Sequence, residues 1–259
     1  MKIAIDAGHG LYTAGKRCLK SIDPKEMREW VLNARIAEKV IAGLRDYDCE
    51  PLRIDDPTGQ TDVSLTSRCN KANNAGCDFY VSIHHNAGIN GGSGGGIVVY
   101  TYLGAKASTK AVAQAVYDAA VARTGLKGNR SAGVAEANFQ VLRNTTMSAI
   151  LGEFGFMDST ADVPIILTDT FAENCAAGIV AGLAAGLGLK QIAVTTAESE
   201  EDEVKIYNKV EEIPDWAQPT IRKLVAKGVL LGGGTGGLYL TEAQMRLFVV
   251  HDRLGLYGE

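Results

Sequence analysis

The chain contains four histidines. His9 lies in Asp6-Ala-Gly-His-Gly10, after a strand-like run at 3–6. His84 and His85 lie in Ser82-Ile-His-His-Asn-Ala87, closing an apolar run at 78–84. His251 falls in a predicted terminal helix. A single histidine is more often a hydrogen-bonded structural residue than a ligand. Two of them at the ends of two strands of one sheet project at the same rim, where ligands of α/β sheets gather. His9 and His84 together are therefore read as metal-binding. Strand alternation sends His84 and His85 to opposite faces, and spacing alone does not say which one faces the rim.

A catalytic zinc site takes three protein ligands and keeps an open position for water. The first helix offers Glu26 and Glu29 as the third. Asp23-Pro24-Lys25-Glu26 reads as the N-cap to N3 of that helix, which assigns Glu26 to a capping box. Glu29, one turn further on, has no capping role and is the ligand candidate, against the reading of a solvated helix-face carboxylate. Glu153 sits inside Ala149-Ile-Leu-Gly-Glu-Phe-Gly-Phe156. A carboxylate in such an apolar strand costs free energy unless it is paired or functional. Burial beside a metal-bound water would tune it as a general base, and the competing reading is an ion pair with Arg143. The five cysteines form no CxxC pair. They fit neither a zinc ribbon nor a disulfide framework, and free thiols fit a reducing compartment.

Strand-like runs at 3–6, 52–54, 78–84, 96–102, 140–143 and 149–154 alternate with helical patterns at 24–45, 62–73, 105–123 and 171–187. Leu32, Ile36, Val40 and Leu44 form one apolar stripe on the first helix. This order predicts an α/β fold, one sheet with helices on both faces. The apolar stretch 176–189, rich in Ala and Gly, is too short to span a bilayer and reads as a buried helix. The start, Met-Lys-Ile-Ala-Ile-Asp, lacks a signal-peptide pattern, so the expectation is a soluble protein made in the cytoplasm. The glycine-rich 91–96 lacks the Gly-Lys-Ser/Thr ending of a phosphate loop and precedes a strand, so it reads as a groove-side loop.

At 259 residues and 46% hydrophobic composition the chain can bury a core without disulfides. A formal charge of −4 gives no nucleic-acid footprint. Residues 1–190 hold 19 acids and 19 bases, and residues 191–259 hold 11 acids and 7 bases. The division expected is a catalytic domain at 1–189, an acidic linker at 190–205 and a small, mainly helical module at 206–259. In the module, Asp215 is expected to cap a helix from Trp216 that ends at Gly228. A glycine turn follows at 232–237, and Thr241 with Gln244 forms a capping box for the last helix.

Four of these motifs, in this order, carry a resemblance. Asp6-Ala-Gly-His-Gly, Glu29 in a helix continuing to Ile36-Ala37, Ser82-Ile-His-His-Asn-Ala and Glu153-Phe-Gly-Phe resemble the zinc-dependent N-acetylmuramoyl-L-alanine amidases, over roughly residues 1–188. Arg68 and Asn73 match the family's Arg…Ala-Asn pattern. The resemblance implies a single mixed sheet, zinc (Zn2+) held by His9, Glu29 and His84, and Glu153 as the catalytic residue. It implies peptidoglycan as substrate, cut at the amide between N-acetylmuramic acid and L-alanine. His85 stands where the family more often has a small residue, and Ser159 where it often has Asn. The lack of a signal-peptide pattern, with a lytic domain and a short C-terminal module, gives the expectation of a phage or prophage endolysin, which by its class would reach the wall through a membrane lesion. The alternatives are a bacterial autolysin or sporulation amidase, another zinc amidohydrolase, or a catalytically dead wall-binding protein. The stretch 213–232 partly resembles a single S-layer-homology-like repeat. It is expected to bind wall, to form a homodimer, or both, against a hairpin with Trp216, Tyr239 and Phe248 in a core.

Overall fold

The central strands of the sheet are buried on both faces. In the computed structural model, which describes residues 1–129, 131–192, 205–230 and 237–258, the strands are β1 (Lys2–Ala7), β2 (Glu50–Arg53), β3 (Phe79–Asn86), β4 (Ile97–Thr101), β5 (Val134–Glu136) and β6 (Ser148–Phe156). They form one sheet in the order β2-β1-β3-β6-β4-β5. Only the β4–β6 pairing is antiparallel, so the sheet is mixed. Ile3, Ile5, Phe79, Val81, Ile83, Ile150 and Phe154 bury one face under α1 (Glu29–Leu44), α3 (Ala107–Thr124) and α6 (Asp169–Leu187). Ala4, Tyr80, Ala149 and Leu151 point the other way, toward α2 (Leu65–Asn74) and α4 (Gln140–Arg143). Period-two alternation thus supplies two half-cores from the same strands.

Three local expectations need correction. Residues 24–28 do not begin the first helix. The Asp23 carboxylate accepts from Lys25 N (3.1 Å) and Met27 N (2.7 Å), closing a tight turn in which Glu26 takes a φ of 49°. Glu26 forms no capping box; it pairs with Arg17 and Lys20. Residues 140–143 are the short helix α4, not a strand, because Val141 and Leu142 pack into the second half-core as one helical turn. The edge position is filled by β5, which has only three residues and therefore little periodicity to read. A further short helix, α5 (Val163–Ile166), follows β6.

The apolar segment expected at 176–189 belongs to a longer helix. At 19 residues α6 meets the length and composition of a membrane span, yet it packs as a core helix. Gly178, Gly182 and Gly186 share one face of α6, and a Cβ on each would meet the backbone of Ala120, Val116 and Val112 of α3. The two helices thus touch backbone to backbone, and the small residues are the requirement of that contact.

The second compact unit spans Ala193–Glu259. The acidic stretch 198–203 and most of the glycine turn lie outside its described residues. Its helices are α7 (Gln218–Ala226) and α8 (Glu242–Arg253), around a core of Tyr207, Ile213, Ala217, Ile221, Leu224, Leu240, Met245 and Val249. Asp252 of α8 accepts from Thr220 (2.8 Å) and Lys223 (2.9 Å) of α7. Thr241 and Gln244 form the expected capping box. Asp215 does not cap α7; Ala217 holds that place, and Asp215 accepts from the Gln218 side chain instead.

The α3–α6 contact yields a test. Alanine favours a helix over glycine by about 1 kcal/mol, but a Cβ on Gly182 would run into the Val116 Cα, a backbone clash at the upper end of the overpacking range, about 2–3 kcal/mol. Gly182→Ala is therefore expected to lower stability by about 1–2 kcal/mol, read as a lower urea midpoint at unchanged slope.

Candidate active site

β1 ends at Ala7, and the chain turns through Gly8 and His9. His9 has a φ of 67°, a left-handed conformation that costs a non-glycine residue about 1–2 kcal/mol. Arg68 of α2 holds it there. This guanidinium, 1% exposed, donates to His9 O (2.7 Å), Ala7 O (2.7 Å), Val63 O (2.7 Å) and Asp6 Oδ1 (2.5 Å). Asp6 also accepts from Ser82 Oγ of β3 at 2.9 Å. A Cβ on Gly8 would occupy the His84 ring, so that position must be glycine for the two histidines to meet.

Glu29 is the first residue of α1, after Arg28 as N-cap. Its N–H donates to Lys16 O (3.0 Å), and its carboxylate lies at the positive end of the helix dipole. The side chain is buried, not solvated as the competing reading required. On β3, alternation resolves the histidine pair. His84 reaches the rim, and His85 turns back under α1, fully buried.

His9, Glu29 and His84 each offer one donor atom, and the three lie within 4.8 Å of one another. Glu29 Oε1 is 3.3 Å from His9 Nε2 and 3.1 Å from His84 Nδ1. Bonds of about 2.0–2.1 Å in a tetrahedral zinc site place neighbouring ligand atoms about 3.3 Å apart, so the spacing fits such an ion. Glu29 Oε2 is buried, accepts no hydrogen bond from any described residue, and has the Lys16 ammonium 3.8 Å away. Burial alone would raise the Glu29 carboxyl, but hydrogen bonds from His84 and His9 outweigh it and hold it below the usual range. Burial likewise opposes a charged His84, yet Glu29, with Glu153 and Asp6, raises it above its ordinary value. Burial pushes His85 down to about 3, so that ring is neutral.

Glu153 of β6 pairs in register with His84 of β3. Register partners on adjacent strands share a face, which puts this carboxylate beside the donor cluster. Glu153, Glu29, His84 and Lys16 line one cavity, and His84 also faces a second one with His9, Asp62 and Arg68. A carboxylate beside a two-histidine, one-carboxylate donor set is an arrangement for hydrolysis of an amide.

Residues 3–185 match the family model described as N-acetylmuramoyl-L-alanine amidase. The chain belongs to this family. It is a hydrolase of the cell wall. It is 33% identical to the N-acetylmuramoyl-L-alanine amidase CwlM of Bacillus licheniformis, over 74% of this chain and 71% of that one. It is 32% identical to an endolysin of Bacillus phage SPP1, over 76% and 70%. Among solved structures, an N-acetylmuramoyl-L-alanine amidase from Clostridium difficile 630 superposes with a TM-score of 0.65 at 32% identity, covering 72% of this chain and 96% of that one.

Other residues of the amidase have structural work around the site. Asn73 accepts from Thr146 N (2.9 Å) and donates to Asn144 O (3.1 Å), tying α2 to the approach of β6. Arg143 ends α4, and its guanidinium goes to Asn138 and Asn144 rather than lying on a strand beside Glu153. Ser159 Oγ donates to Gly94 O (2.6 Å) and accepts from Asp162 N (3.0 Å). Asp158 accepts from the N–H groups of Gly88, Ile89 and Asn90, which shapes the loop before β4. Within that loop Gly95 (φ 141°) and Gly96 (φ 96°) are required, because a Cβ on them would meet Asp162 and Lys127 O. The cysteines are free, and burial pushes the Cys18 thiol up to about 12, unsuited to a nucleophile.

Two contributors escaped the sequence reading. Asn33 is a buried polar residue on the apolar face of α1, one turn after Glu29, and that misplaced polarity was the available signal. Lys16 sits in an irregular loop, and nothing local marks it.

Arg68→Met would leave Asp6 charged and buried, with the Ala7 and His9 carbonyls losing their donor. The expected loss is about 3–5 kcal/mol of stability in urea denaturation of the amidase.

Proposed function

We propose that the amidase uses zinc, held by His9, Glu29 and His84, and that Glu153 is its catalytic residue. The observation that carries this reading is the convergence of three donor atoms within 4.8 Å, with Glu153 in register beside His84. Zinc in such a site supplies Lewis acidity toward the scissile carbonyl and the attacking water. Glu153 accepts the proton released by that water and delivers it to the departing amine. A C–O bond forms, the C–N bond breaks, and the products are the lactyl carboxylate of N-acetylmuramic acid and a free L-alanine amine. Lys16 lines the same cavity, with its ammonium 3.8 Å from Glu29 Oε2.

We also propose that the protein acts as a phage or prophage endolysin, released onto the wall through a membrane lesion. Its support is the similarity to the phage endolysin over 200 residues. The sporulation reading has comparable support, from 32% identity to a sporulation-specific N-acetylmuramoyl-L-alanine amidase of Bacillus subtilis.

For residues 206–259 the proposal is a module that associates with a second copy or with wall polymer, joined to a domain at 1–189 by the acidic 190–205. Leu247 and Val250 of α8, with Leu254 at its C-cap, form an exposed apolar stripe. Glu242 marks the first turn of that helix and Arg253 its last turn. Two copies of α8 packed antiparallel would bury the stripes and bring opposite charges together. Trp216 and Tyr239 are exposed rather than in a core, whereas Phe248 packs on it.

Digestion of purified peptidoglycan should expose new N-terminal alanine. Chelator should abolish this and added zinc restore it. Glu153→Gln should keep zinc and lose about 10²–10⁴-fold in kcat. Cytoplasmic expression should lyse cells only after membrane permeabilisation; lysis without it, or release of peptide termini other than alanine, would refute the endolysin reading or the bond assignment respectively.

For the module, the pair Leu247→Lys and Leu254→Lys should convert a dimer to a monomer in light scattering, while Trp216→Ala should weaken wall sedimentation. A wild type that is monomeric and does not sediment with walls contradicts both roles.

A further inference from the structure

His85 takes no part in the proposed chemistry, yet it is a polar ring placed in the interior at 3% exposure. A buried polar group costs free energy unless it is hydrogen-bonded, so its partner is informative. His85 Nδ1 lies 2.8 Å from Asn33 Oδ1. The Asn33 amide on its other side donates Nδ2 to Gly8 O (3.1 Å) and reaches toward Glu29 Oε1 (3.5 Å). The backbone N–H of His85 itself donates to Glu29 Oε1 at 3.3 Å.

These contacts determine one another. If Asn33 were flipped, its oxygen would face the Gly8 carbonyl oxygen. With Nδ2 committed to Gly8, Oδ1 must face His85, and His85 must carry its proton on Nδ1. Its Nε2 is then an acceptor, and it has no hydrogen-bond partner among the described residues, with the Phe171 ring 6.4 Å from its own. Gly8 O immediately precedes His9, and Glu29 is the carboxylate between the two rim histidines. One amide therefore reaches the backbone that delivers His9 and the side chain that joins His9 to His84.

We infer that Asn33 and His85 form a hydrogen-bonded clamp of positioning residues that sets the separation of His9 and Glu29, and hence how tightly this site holds a divalent cation. The sequence supports the geometry: Glu29 and Asn33 are four residues apart on one helix face, and His84 and His85 are consecutive on a strand. One ring goes to the rim and the next goes behind it. The clamp rests on the metal-site reading above.

The test measures zinc affinity of the full-length protein by chelator competition, with the visible spectrum of the cobalt-loaded form and the melting of the metal-free form. His85→Asn keeps an amide donor near the place of Nδ1, whereas His85→Gln moves it toward the place of Nε2. The clamp predicts affinity within about threefold of wild type for His85→Asn, and losses of about 10–100-fold for His85→Gln and for Asn33→Leu. The double variant should lose no more than the worse single one, because both remove the same connection. The cobalt spectrum should change in the two weakened variants and stay unchanged in His85→Asn.

Wild-type affinity in His85→Gln, or fully additive losses in the double variant, overturns the clamp. If Asn33→Leu does not fold, the contrast between the two His85 variants decides alone. His84→Ala separates the readings. Zinc retained by His84→Ala overturns the metal site itself, whereas zinc lost there but held normally by His85→Gln overturns only the clamp.

Discussion

The buried carboxylate of Glu29 is the interaction on which the site depends. Removing an ion from water costs several kcal/mol, and a lone carboxylate in that place would be neutralised instead. The fold surrounds it with donors from three elements: His9 after β1, His84 and the His85 N–H from β3, and Asn33 from its own helix. The start of α1 adds the helix dipole, and the Lys16 loop adds a cation. Apart from the Lys16 loop, each of these groups is carried on, or directly follows, an element of the sheet or of the helix packed on it. The chemical cluster and the fold therefore constrain each other.

Close backbone approach is the second constraint, and it recurs at different scales. At Gly8 it lets the His84 ring lie on the β1 turn; at Gly95 and Gly96 it lets the loop before β4 seat against Asp162 and Lys127. Along α6, three glycines bring that helix onto α3. Interiors are packed as densely as organic crystals, so a displacement at the helix layer has no slack to absorb it before the strands. Arg68 extends the same logic to polar groups. Its donors hold two carbonyls of the β1 turn and the Asp6 carboxylate, a buried charge that would be costly without it.

The charge distribution separates the two units. Through residue 190 acids and bases balance, and the excess of acid falls in the remainder. A domain without net charge exerts no long-range attraction on a charged polymer, so its substrate is held by short-range contacts. In the second unit, Leu247, Val250 and Trp216 are exposed.

Much of this was legible along the chain, because strand period and helix period are local properties. Leu32, Ile36, Val40 and Leu44 declared the buried face of α1, and Asp6-Ala-Gly-His and Ser-Ile-His-His declared two strand ends with donors on them. What failed locally failed where a side chain outbid the pattern. The Asp23 carboxylate took up backbone N–H groups and turned an apparent helix start into a loop, and Val141 and Leu142 were drawn into a helical turn by the half-core they fill. Which histidine faces the rim, that Asn33 meets His85, and that Glu153 lies in register with His84 depend on pairing between segments 50 or more residues apart. Local sequence specifies the types and periodicity of these groups. Only the registered sheet, with α1 laid across it, brings them within a few ångström, because side-chain direction is local but juxtaposition is not.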